Sequence, residues 1–72
     1  RSENVIRKEM KALERTIAQL DDQRKAANAK LLNTSNAAEA MKLHNEVAAL
    51  TEQLTPAEDR WCELQQELEE SE

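Results

Sequence analysis

Glycine, phenylalanine and tyrosine are absent from the 72 residues, and tryptophan, proline, cysteine and histidine occur once each. Without glycine there is no loop whose backbone could cradle a phosphate, as nucleotide-binding loops do. Sheets draw on aromatic and β-branched residues with turn glycines, and these are nearly missing. A lone Cys62 cannot form an internal disulfide, which fits a reducing, cytoplasmic setting. No Ser-His-Asp set is found around His44, the one histidine, and no Asp-x-Asp-Gly loop is present to wrap calcium. No apolar run reaches the roughly 18 residues that a membrane span needs, so no membrane partner is expected. The chain opens on Arg1-Ser2, inside a helical pattern and with neither a signal peptide nor an initiator Met. This reads as a piece of a larger protein.

What remains is dominated by Ala, Leu, Glu, Lys, Gln and Arg, all strong helix formers. Apolar residues recur at alternating steps of three and four in two blocks. The first is Ile6, Met10, Leu13, Ile17, Leu20, Arg24, Ala27, Leu31; the second is Ala40, Leu43, Val47, Leu50, Leu54, Ala57, Trp61, Leu64, Leu68. Arg24 alone breaks the apolar rule. A mean step of about 3.5 residues keeps one narrow seam toward a partner helix, the pattern of a left-handed coiled coil. A chain this short buries little surface as a compact core, and two narrow seams build a rod rather than a pocket. The fold class expected is therefore all-α, a single two-helix antiparallel coiled-coil hairpin over residues 1–72.

Helix 1 is predicted over about residues 3–32, the turn over 33–36, and helix 2 over about 37–70. Lys30 in the last turn of helix 1 suits the negative end of its dipole. Asn33-Thr34-Ser35-Asn36 then interrupts the helix, because these side chains compete for backbone hydrogen bonds. Asn36 with Glu39 reads as a capping box for helix 2. A connection this short makes the helices antiparallel neighbours. Ile6 then faces Leu68, Met10 faces Leu64, Leu13 faces Trp61, Ile17 faces Ala57 and Leu20 faces Leu54. Toward the turn, Arg24 faces Leu50, Ala27 faces Val47 and Leu31 faces Leu43. A slip of one layer is compatible with the same pattern.

Pro56 lacks an N–H and its ring opposes the carbonyl of Glu52, at a cost of about 3 kcal/mol in a helix interior. Helix 2 is either kinked there or interrupted and restarted, with Thr55 as cap, Pro56 at the first position and Glu58 at the third. The phase of Leu54, Ala57 and Trp61 favours the continuous helix.

Charge is divided between the halves. Residues 1–32 carry eight Lys/Arg against five Asp/Glu, net +3, and residues 33–72 carry two against ten, net −8. The acidic total argues against bulk affinity for nucleic acid but leaves room for a local contact. Arg1, Lys8 and Arg15 recur every seven residues opposite the seam, with Lys11 beside them and Arg7 one step round. Arg7–Lys11 and Lys11–Arg15 are like-charged neighbours at i,i+4, which costs a helix a few tenths of a kcal/mol. Arg7, Lys8, Lys11 and Arg15 are thus the candidate contacts to phosphates of RNA or DNA. No aromatic accompanies them for stacking on single strands. The structural alternative is a solvated face neutralised across the hairpin by Glu58, Asp59, Glu63 and Glu67.

Arg24 is expected to cover apolar surface with its stem and to pair with Glu46 or Asp21, fixing register. Trp61 reads as a core anchor, or else as a docking face. Cys62 and His44 flank the seam as solvated residues. The run Glu63, Glu67, Glu69, Glu70, Glu72 opposes the dipole at the end of helix 2, so that end is expected to fray. No catalytic, cofactor or metal site is expected within this chain.

Arg7-Lys8-Glu9 and Leu13-Glu14-Arg15 in the first helix, a short break, and Arg60-Trp61-Cys62-Glu63-Leu64 near the end form a pattern over nearly the whole length. It resembles the C-terminal coiled-coil domain of ABC-F proteins (Uup-like), soluble ATP-binding cassette proteins without a membrane part. That domain has a similar length, a Lys/Arg-rich first helix and a closing Arg-Trp-x-x-Leu signature, which Arg60, Trp61 and Leu64 match in a packing role. Pro56 departs from the family's usual uninterrupted second helix. The resemblance implies a cytoplasmic parent ATPase acting on the ribosome and translation, with ATP and Mg held by ATP-binding domains elsewhere in the parent chain. It also implies an arm that contacts RNA, DNA or the ribosome. The other readings are a structural or oligomerisation hairpin with protein partners only, and a dimer through the exposed end of Trp61.

Overall fold

The computed structural model describes residues 2–71. It contains two helices, α1 (Glu3–Asn33) and α2 (Ala37–Ser71). They lie side by side as one rod of 53 × 14 × 12 Å, the length expected of helices of this size at 1.5 Å per residue. Ile6 and Met10, from the start of α1, pack with Leu64 and Leu68 from the end of α2, with Leu13 and Trp61 against them. The helices are therefore antiparallel, and this cluster agrees with the Ile6–Leu68, Met10–Leu64 and Leu13–Trp61 layers.

Every residue of both seams is buried or half-buried, Arg24 included. Ile6 and Leu64 have no exposure at all. Burying such a side chain contributes about 1.5–3 kcal/mol, so the seam holds the hairpin and the flanks decide its chemistry.

The helix ends show how local chemistry sets the boundaries. Ser2, part of a helical pattern by sequence, is the N-cap of α1: its backbone is extended and its Oγ accepts from Val5 N–H at 3.3 Å. At the other end Asn33 joins α1, its Nδ2 donating to the carbonyl of Ala29 at 3.0 Å. Thr34 then turns extended, with its N–H on Leu31 O. Asn36 Oδ1 accepts from Glu39 N–H at 3.0 Å, which starts α2. The expected capping box is only half formed this way, because the N–H of Asn36 donates to Thr34 Oγ1 instead of to Glu39.

α2 passes through Pro56 without interruption. The restart at Thr55 is thus corrected: its hydroxyl donates to Thr51 O at 3.2 Å, where a cap would have accepted from Glu58. A break at Pro56 would have put Leu64 and Leu68 out of phase with Leu54 and the rest of the seam, and these burials outweigh one missing backbone bond. The acidic end of α2 is helical to Ser71. Gln65 and Gln66 donate to Glu69 and Glu70 one turn on, and Ser71 Oγ donates to Leu68 O. Arg1 and Glu72, which the sequence placed in the basic stripe and the acidic run, lie outside the described residues. Among the described residues no helix is long and apolar enough to cross a membrane.

Candidate functional site

Arg7, Lys8, Lys11 and Arg15 are all exposed on the open half of α1. Among the described residues none of the four makes an ion pair. The neutralising contacts expected from Glu58, Asp59 and Glu63 are not made; Glu63 pairs with Arg60 on its own helix at 3.4 Å. Glu58, Asp59 and Glu63 are instead exposed on α2. For Lys8 and Arg15 the reason is the width of a two-helix rod, which keeps a residue on the back of α1 out of reach of α2.

The structure also divides the four cations. Arg7 and Lys11 line a shallow groove with Met10, Glu14, Trp61, Gln65 and Leu68. Lys8 and Arg15 take no part in it and stand on the back of the helix. The seven-residue repeat had joined Lys8 and Arg15; it could not say that their two neighbours turn toward Trp61.

Two further α1 residues, not singled out by sequence, hold the helices together here. Arg60 donates from Nε to Glu9 Oε2 at 2.8 Å and from Nη2 to Glu9 Oε1 at 3.3 Å. This fork-like pairing to one carboxylate is the geometry that guanidinium favours. Trp61 Nε1 donates to Glu14 Oε2 at 3.0 Å, while its ring lies half-buried against the core. A half-buried indole body with a satisfied N–H at its wet edge suits an amphipathic aromatic. The signal available in the sequence was register: once Leu13 faces Trp61, Glu9 and Glu14 fall on the flanks of the seam beside α2.

Arg24 pairs with Asp21 at 2.8 Å and not with Glu46, and Lys25 reaches the same carboxylate at 3.1 Å. Hydrogen bonding from Lys25, joined by Arg24, holds the Asp21 carboxyl below the usual carboxylate range. His44 and Cys62 are exposed.

Among the described residues no three of His, Cys, Asp and Glu converge on a common point. The arrangement offers charge, an apolar groove and a stiff rod, which are means of contact rather than of reaction.

The family described as the ABC transporter C-terminal domain matches residues 3–66. No curated protein and no solved structure matches the chain.

Proposed function

Because the chain belongs to the family of ABC transporter C-terminal domains, we propose that it is the non-catalytic coiled-coil arm of an ABC-F ATPase. In this reading the arm contacts nucleic acid or the ribosome through α1. The parent is a cytoplasmic protein, and ATP and Mg are handled by its ATP-binding domains. The observation that carries the proposal is the group Arg7, Lys8, Lys11 and Arg15: four exposed cations over two to three turns of one helix, unpaired among the described residues. Like charges at i,i+4 weaken a helix, so their accumulation makes sense where an external polyanion receives them. The absence of aromatics beside the cations favours backbone contacts over base stacking.

The test is a titration of the chain against duplex DNA, RNA and ribosomes at several salt concentrations. Each phosphate neutralised contributes a slope of about −0.9 for duplex DNA in log K against log salt, so three or four contacts give a slope near −3. Reversing Lys8, Lys11 and Arg15 to Glu abolishes that binding while helicity persists. Equal binding by the triple variant would sink the proposal and favour an arm that meets proteins only.

A further inference from the structure

The groove beside Trp61 has a charge arrangement that is complementary to itself. Trp61 and Glu14 lie where two shallow depressions meet, of about 270 and 470 Å³. Toward the open end the lining is cationic, with Arg7 and Lys11 over Met10 and Leu68. Toward the turn it is anionic, with Asp21 and Glu58 over Ile17 and Leu54. No cation lines the second depression and only Glu14, at the junction, lends the first an anion. Arg7 and Asp21 are each seven residues from Glu14, two helical turns or about 10 Å in opposite directions.

A two-fold axis through the Glu14–Trp61 layer, perpendicular to the rod, exchanges the two depressions. It sets Arg7 of one copy against Asp21 of the other, and Lys11 of one between Glu14 and Glu58 of the other. It also brings the two half-buried Trp61 rings together at the centre. Such an interface is isologous and closes at two copies, with an aromatic centre and a charged rim as stable protein contacts have. We propose that this face docks a second copy of the chain, antiparallel to the first. Asp21 already holds Arg24 and Lys25, so its charge is met within its own copy and Arg7 gains little there; the Lys11–Glu58 contact is the one that carries the complementarity and decides specificity. The face shares Arg7 and Lys11 with the proposed nucleic-acid contacts, whereas Lys8 and Arg15 lie outside it, so association is measured with the protein alone.

Sedimentation equilibrium of the full 72-residue chain at low salt tests it, over protein concentrations from about 10 µM to about 1 mM. The mass rises from 8.2 kDa toward twice that value. Lys11→Glu alone and Glu58→Lys alone each weaken association about tenfold or more, since each places like charges opposite one another twice per dimer. Both residues are exposed, and circular dichroism verifies that the helices remain. An equimolar mixture of the two variants recovers association, because the mixed pair restores both contacts. A chain that stays at 8.2 kDa throughout overturns the proposal. So does association that ignores both substitutions, or a mixture that fails to recover.

Discussion

At the open end of the hairpin, Ile6 and Leu64 are fully buried, and Arg60 and Trp61 each reach across to a carboxylate of α1. At the turn end, Leu31, Ala40 and Val47 are only half-buried, and Leu32 and Met41 stand 85% and 61% exposed. Among the described residues, no side-chain hydrogen bond or ion pair crosses between the helices there. The difference follows from connectivity. Three residues, Thr34–Asn36, tie the helices at the turn, so little further energy is needed to keep them adjacent. The open end has no covalent tie, and side chains must supply what the loop supplies elsewhere. The Arg60-Trp61 pair is thus a clasp, placed where the rod would otherwise splay.

The largest effect in this comparison comes from Leu64→Ala, which removes a fully buried side chain at the clasp. It costs about 2–5 kcal/mol, and thermal unfolding shows the midpoint fall by more than Leu31→Ala lowers it at the turn end. Pro56→Ala acts between the two regions and in the opposite direction. It restores a backbone donor toward Glu52 and raises stability by up to about 3 kcal/mol, measured as a higher denaturant midpoint. No gain would mean that the helix around Pro56 has already adapted to the missing bond. Asn36→Ala tests the turn end alone: loss of the Glu39 cap costs about 1 kcal/mol. Hydrogen exchange then accelerates in the first turn of α2 and not at the clasp. Glu9→Gln probes the partly exposed pair with Arg60 and costs at most about 1 kcal/mol, less at high salt.

The smallest effect is that of pH on Asp21. Its carboxyl sits below the usual range because Lys25 and Arg24 bond the ionised form. A depressed folded value contributes stability that is fully present above about pH 4, the unfolded value, and lost as pH falls through the lower folded value. Asp21→Asn removes this part of the acid dependence and leaves the neutral-pH helicity unchanged. An unaltered acid limb in that variant would show that Asp21 carries none of it.

The legible part of the fold was the seam. Its positions from Ile6 to Leu68 are buried or half-buried in the structure, since a narrow apolar stripe at this period has only one way to leave water. Arg24 was legible as a seam residue but not in its choice of Asp21 over Glu46, because a long side chain reaches both and local geometry selects. The continuous helix through Pro56 was legible in the phase of Leu54, Ala57 and Trp61; the competing Thr-Pro-x-Glu start signal is local, whereas the burial of Leu64 and Leu68 that carries the helix through is not. In the candidate site, the charges and their spacing were visible. The partners Glu9 and Glu14 were not singled out, for a flank residue acquires its role only when the opposite helix is in place.

Composition and period, taken alone, determined that this chain is helical and that two stripes meet. Helix propensity and the burial of every third or fourth side chain are properties of neighbours along one strand of sequence. The tertiary structure decided which side of the seam each charged residue occupies: Arg7 and Lys11 toward Trp61, Lys8 and Arg15 toward water, Arg60 onto Glu9. Those assignments depend on where the second helix lies around the first, and sequence separation carries no record of that angle.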